Sequence, residues 1–374
     1  MKNILFATSE AVPFIKTGGL ADVAGSLPKC FDKRYFDIRV ILPKYACMKQ
    51  EWKDKMEYVT HFYMDLGYKN CYVGILQMEY DGIKFYFIDN EYYFSGPKPY
   101  DSAPWDLEKF AFFSKAVLSV LPVIDFRPDI IHCHDWQTGL VPVYLHDSFQ
   151  QNQFFWGIKT IMTIHNLKFQ GVYDVKTIKE LTGLSDYYFT PDKLEAYKDG
   201  NFLKGGIVFA DAVTTVSNTY ADEIKTPFYG EGLDGLLRAR SNSLRGIVNG
   251  IDYNEFNPET DPYITKTYNA TTFRKEKVKN KLQLQRDLGL QEDPKTMMIG
   301  IVSRLTDQKG FDLIAYVMDE LARMLSSCNS WNRLMNVMRI CSVTLTGNIM
   351  ERYLLRSIMM RKCLTVSMHQ QMRS

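Results

Sequence analysis

Ile4-Leu5-Phe6-Ala7, followed by Ile15-Lys16-Thr17-Gly18-Gly19-Leu20-Ala21-Asp22-Val23, decides the fold. The first run is continuously apolar and reads as a β-strand buried on both faces. Residues 20–31 carry a helical pattern. A strand, a loop with two glycines and a helix N-terminus together make a site for a diphosphate. The glycines let an anion approach the backbone, and the helix start offers unpaired N–H groups and the positive end of its dipole. Lys16 adds a mobile cation that can neutralise phosphate. Taken alone, the Gly-Gly pair is equally well an ordinary turn. Its place after the first strand, and similar strand ends downstream, favour the ligand site.

Working outward, short apolar runs alternate with helical patterns through the first 240 residues. Strands are expected at 3–8, 38–42, 84–88, 130–134, 160–164 and 212–216, with helices at 107–120, 138–146, 194–209 and 219–225. This alternation predicts a parallel, doubly wound α/β sheet. Residues 57–63, 70–78 and 84–88 read as a β-meander inserted into it. Near Val248 a second unit begins, with turn chemistry in Asn249-Gly250-Ile251-Asp252. A charged helix over 273–290, a strand over 298–303 and a helix over 310–321 then restart the alternation. The expected organisation is an N-terminal Rossmann-like domain over 1–245, the beginning of a second over 246–322, and a tail over 323–374.

The tail differs in kind. It holds eight Lys or Arg against one acid, Glu351, together with eight of the 17 methionines and three of the seven cysteines. Loss of acids and of periodicity reads as translation in another frame, from a frameshifted or misassembled gene. The net charge of +2 argues against nucleic acid as a partner. Seven scattered cysteines without Cys-x-x-Cys spacing suggest neither a disulfide framework nor a zinc site. Thr8-Ser9-Glu10 breaks the first apolar run too early for a signal peptide, and no stretch reaches the ~18 apolar residues of a membrane span. A soluble cytoplasmic protein with no membrane partner is expected.

Three further segments carry chemistry. Ile130-Ile131-His132-Cys133-His134-Asp135-Trp136-Gln137-Thr138-Gly139 is a buried strand ending in polar residues, and ligands of open parallel sheets bind at such carboxyl ends. His132 and His134 share one strand face, but no third ligand lies nearby in sequence to complete a metal site. The plain alternative puts His132 in the core and makes Asp135 a helix cap. Thr163-Ile164-His165-Asn166-Leu167-Lys168-Phe169-Gln170-Gly171 repeats the arrangement, with His165 and Asn166 able to donate to sugar oxygens. His165 by itself reads as an ordinary structural histidine. Val302-Ser303-Arg304-Leu305-Thr306-Asp307-Gln308-Lys309-Gly310 places two cations after a strand in the second unit, where they can clamp a diphosphate.

Together with Thr215-Val216-Ser217 and Asn249–Asp252, these segments resemble bacterial glycogen synthase and plant starch synthase over roughly residues 1–320, with the motifs in order. These are retaining glycosyltransferases of the two-Rossmann-domain (GT-B) type. The resemblance implies transfer of glucose from ADP-glucose to the non-reducing end of glycogen or another α-1,4-glucan, with no metal and no cofactor besides the donor substrate. It implies that Lys16, Gly18 and Gly19 hold donor phosphate and sugar, that Arg304 and Lys309 bind the diphosphate, and that His165 contacts the transferred glucose. Asn166 joins the donor contacts, and Asp135 and Asn249 line the cleft. A weaker correspondence puts Tyr93 near the sugar or acceptor. The family's later Glu-x7-Glu segment and second Thr-Gly-Gly loop have no counterpart here, so a chain inactive by itself is expected. A UDP-glucose-using or sucrose-synthase-like transferase, and a non-catalytic glucan-binding fragment, remain as alternatives.

Overall fold

The strand β1 (Lys2–Ala7) sits in the middle of a nine-stranded sheet, with Leu5, Phe6 and Ala7 almost wholly buried. In the computed structural model, residues 1–295, 298 and 309–326 are described. The chain divides into two units, Met1–Gly250 and Ile251–Ser374. The expected strand at 298–303, apart from residue 298, lies outside the described residues, as do Arg304 and the tail beyond 326.

The first unit contains β2 (Phe36–Pro43), β3 (Glu57–Leu66), β4 (Lys69–Tyr80), β5 (Ile83–Asp89), β6 (Ile130–His134) and β7 (Lys159–Ile164). After these come the short strands β8 (Val172–Asp174), β9 (Glu195–Ala196) and β10 (Asp199–Asn201), then β11 (Ala212–Thr215) and β12 (Leu244–Gly246). The large sheet runs β12-β11-β7-β6-β1-β2-β5-β4-β3. From β12 to β5 every pairing is parallel, whereas β5-β4 and β4-β3 are antiparallel. The expected doubly wound sheet and its meander are both present.

The topology creates the crevice. From β1 the chain builds outward to β2 and β5 on one side. It then returns through the helix Trp105–Val123 to lay β6 on the other side of β1. Loops leaving β1 and β6 at their carboxyl ends therefore part in opposite directions, and the gap between them is where such sheets bind ligands. That helix is buried around most of its circumference, including Phe110, Phe112 and Phe113, so it acts as a core element of the sheet's covering layer.

One expected element is corrected. The sequence pattern predicts a helix over 194–209, but only Phe202–Phe209 is helical. Tyr197 and Lys198 take positive φ (54° and 74°) to form a hairpin between β9 and β10, which joins β8 in a small sheet. Asn201 then caps the helix by accepting from Lys204 N at 2.8 Å. The helix expected over 20–31 likewise stops at Ser26, with a 3-10 turn at Leu27–Cys30 carrying Pro28. In the second unit, helices Phe273–Asp287 and Phe311–Ser326 are present. Among the described residues no helix is long and apolar enough to cross a membrane.

Candidate active site

At the end of β1 an acid, Glu10, is 3% exposed. A buried carboxylate needs donors, and it has them. Glu10 accepts from the Thr17 N–H, from Thr17 Oγ1 at 2.9 Å and from the Tyr100 hydroxyl at 3.1 Å. Burial raises its pKa above the usual carboxylate value, against the pull of those bonds. Ser9 Oγ lies 2.8 Å from the same Tyr100 hydroxyl. The loop is tied at its other side by Val12 N, which donates to Ala21 O at 3.0 Å. Gly25 permits this approach, because a Cβ there would stand 2.4 Å from Val12 O.

Gly18 and Gly19 open the first helix, Gly19–Ser26, and no side chain caps it. Gly18 is extended (φ −155°), so no left-handed conformation demands glycine. What the pair provides is space, since a Cβ at either position would meet nothing within 4 Å. Lys16 stands beside them, with Nζ 2.6 Å from Asp22 Oδ1 and both side chains about one-third exposed. An ammonium has three N–H donors, so this pairing leaves two.

The ends of β6 and β7 are tied together by Asp135. Its N–H donates to Thr163 O at 2.9 Å, extending the ladder one residue past β6. Its Oδ1 accepts from the N–H of His165 at 2.7 Å and of Asn166 at 3.4 Å. The residue has φ 56° and ψ −174°, a region that is essentially glycine's and costs another residue ~1–3 kcal/mol. Burial pushes its pKa up to about 7, although the two backbone donors lower it. Asp135 does not cap the following turn with its side chain. The carboxylate holds the His165–Asn166 corner instead.

His165 is half-buried, and its Nε2 lies 3.0 Å from His134 Nδ1. His134 is fully buried, and His132 pairs through Nε2 with Thr163 Oγ1 at 2.6 Å. Burial keeps all three rings neutral, His132 pushed down to about 3, His165 to about 4, and His134 well below its ordinary value. Among the described residues no group of three His, Cys, Asp or Glu could hold a metal ion. Asn166 Oδ1 accepts from Lys168 N at 3.1 Å, which leaves its NH2 to offer. Gln170 Nε2 bridges Leu167 O and Glu231 O, both at 3.0 Å, and the Tyr220 hydroxyl accepts from Leu167 N at 3.2 Å. Burial above all, and after it the charge of Glu10, hold the Tyr100 pKa well above its ordinary value.

Two further expected residues stand on other elements. Asn249 is exposed past β12, at the far edge of the sheet. Lys309 is exposed just ahead of the helix Phe311–Ser326 in the second unit. Tyr93 is a correction. It is 2% exposed, stacks on Phe112 at 4.6 Å and donates to Glu108 Oε1 at 2.7 Å, so it is a core residue with no face for a sugar. Its neighbour Tyr92 is the exposed one. Glu10, Tyr100 and Tyr220 were not foreseen. Glu10 had a signal, an acid in the short polar run Thr8-Ser9-Glu10 between the apolar Ile4–Ala7 and Ala11-Val12, where burial would force it to organise donors.

Known proteins share this fold and much of this sequence. Residues 3–239 match the family model described as the starch synthase catalytic domain. The glycogen synthases of Lachnospira eligens and Lachnoclostridium phytofermentans are each 68% identical over 321 residues, covering 86% of this chain and 67% of the relative. That of Anoxybacillus flavithermus is 49% identical over 319 residues, covering 85% and 66%. The chain thus spans about two-thirds of the length of these relatives. Among solved structures, the catalytic domain of Starch Synthase IV from Arabidopsis thaliana, bound to ADP and acarbose, matches with a TM-score of 0.78. The identity is 31%, over 86% of this chain and 66% of that one. With its parallel sheet, its crevice at the β1–β6 divergence and these relatives, the chain belongs to the glycogen synthase and starch synthase family of GT-B glycosyltransferases.

Proposed function

We propose that the crevice beyond β1, β6 and β7 takes the glucosyl diphosphate of ADP-glucose, for retaining transfer to the non-reducing end of glycogen or a related α-1,4-glucan. The observation that carries this reading is the adjacency of β1, β6 and β7, whose carboxyl ends bear the open Gly18-Gly19 loop with Lys16 and the His165–Asn166 corner held by Asp135. The first offers a cation and uncapped helix N–H groups, which suit a diphosphate and its growing charge as the glucosyl bond breaks. The second offers neutral donors, which suit sugar hydroxyls. No resident metal enters this reading, and Arg304 and Lys309 would serve the diphosphate from the second unit. The relatives' glycogen synthase names and the ADP and acarbose bound to the starch synthase support the choice of donor and acceptor.

The test is transfer of labelled glucose from ADP-glucose to glycogen. It is run on this chain and on a chimera whose residues from 322 onward are replaced by the corresponding part of the Lachnospira eligens enzyme. Transfer by either protein supports the reading. Absence from both, or transfer only from UDP-glucose, overturns it. In whichever protein is active, Lys16→Ala removes a charge-assisted contact of about 1.5–3 kcal/mol. ADP affinity, measured by calorimetry, should then fall about tenfold or more. Unchanged affinity in a folded variant removes Lys16 from the site.

A further inference from the structure

We infer that His134 is the positioning residue that sets the proton on His165, donating its Nδ1–H to His165 Nε2 and so holding His165 as the Nδ1–H tautomer. The inference deepens the reading of His165 as a ligand contact and rests on it only for its functional meaning.

The argument begins with proton counting. Two neutral imidazoles that meet nitrogen to nitrogen at 3.0 Å share one proton, so one ring donates and the other accepts. The two assignments differ in what they leave behind. His134 has no solvent exposure, and its Nε2 is buried with no hydrogen-bond partner among the described residues. If His134 accepted at Nδ1, its proton would sit on that Nε2 as a buried donor with no acceptor. If it donates from Nδ1, the orphan is only a lone pair. Buried N–H groups without partners are the rarer and costlier defect. The proton therefore lies on Nδ1 of His134.

His134 also has little freedom to turn away. Its N–H donates to Thr138 Oγ1 at 2.6 Å, and that hydroxyl lies 2.9 Å from the His134 carbonyl. Its ring is stacked against Phe6 at 5.5 Å and lies 4.2 Å from the His132 ring, centroid to centroid. His165 then has its lone pair turned inward at Nε2 and its proton at Nδ1. Burial, which depresses both pKa values, keeps a second proton off the pair near neutrality. What His165 presents to a ligand is a hydrogen-bond donor, matched to an oxygen lone pair such as that of a sugar hydroxyl. It is not a base.

The experiment is two-bond proton–nitrogen correlation spectroscopy on the full chain labelled with 15N-histidine. The sequence has only six histidines, and His165→Gln assigns the signal. The wild type should show His165 protonated at Nδ1. His134→Asn places an amide NH2 near the lost Nδ1–H and should preserve that pattern. His134→Phe keeps a ring but no donor, and should shift His165 toward the Nε2–H form. A wild-type spectrum with the proton on Nε2 overturns the proposal, even if neither variant folds. An unchanged His165 in His134→Phe, or loss of the pattern in His134→Asn, also counts against it. Titration with ADP-glucose and with maltotriose is read separately. A His165 signal indifferent to both would remove its ligand role while leaving the tautomer assignment standing.

Discussion

His165→Ala is expected to lower kcat and kcat/KM together by about 100-fold, the scale of a lost hydrogen bond to a sugar hydroxyl that strengthens in the transition state. The measurement is glucosyl transfer by the active protein, with saturating and limiting donor. A small stability change should accompany it, since the substitution strands the His134 Nδ1–H as an unpaired buried donor. That costs ~1–3 kcal/mol, which for a unit of this size lowers Tm by several degrees. A rise in KM with kcat intact would mean that His165 binds ground state and transition state alike. Global unfolding would mean that the histidine is scaffolding.

The second large effect is on stability against pH. His132, His134 and His165 have folded pKa values far below the ordinary 6.5, so unfolding takes up protons there as pH falls below 6.5. Their contribution is present above that value and is lost as pH drops toward about 4. Asp135 works in the opposite sense. Its folded value of about 7 lies above the ordinary 3.8, so its contribution is fully present below 3.8 and is lost as pH rises toward 7. Glu10, also raised by burial, sides with Asp135. Between pH 4.5 and 6.5 the three histidines outweigh Asp135 and Glu10, so unfolding takes up protons on balance and stability falls with acidification, each net proton being worth about 1.4 kcal/mol per pH unit. The urea midpoint, followed by tryptophan fluorescence, should therefore fall as pH drops below 6.5. Asp135→Asn removes one opposing group and should steepen that fall. A midpoint that rises as pH drops to 5 would show that the histidines are not buried as neutral rings.

The ends of β1, β6 and β7 were legible because parallel strands covered on both faces leave continuous apolar runs, and a polar residue can follow only where the strand emerges. His134, Asp135, His165 and Asn166 could thus be placed at one edge from spacing alone. The direction of each side chain after that point was not legible. Asp135 looked like a cap for its own turn, yet it reaches across to the next strand's corner, a contact between residues 30 apart in sequence. Tyr93 followed a turn-like Asn90, and nothing local showed that the helix Trp105–Val123 would bring Glu108 beneath it. The small sheet of β8, β9 and β10 was hidden by apolar residues on either side of Lys198-Asp199-Gly200. There the turn chemistry outweighed the helical period.

The Lys16 loop is already tied to itself: its cation faces Asp22, and the Thr17 N–H belongs to Glu10. An arriving anion must share the first with Asp22 and cannot have the second. In a catalytic cycle that ends with ADP in the cleft, such a loop acts on residence time. Grip strong enough to use every donor would hold the leaving group after the sugar had gone, and turnover would wait on its departure. If the loop holds the nucleotide as proposed, keeping part of its capacity engaged internally would favour an early exit of spent nucleotide, and chain growth would be set by the supply of fresh donor.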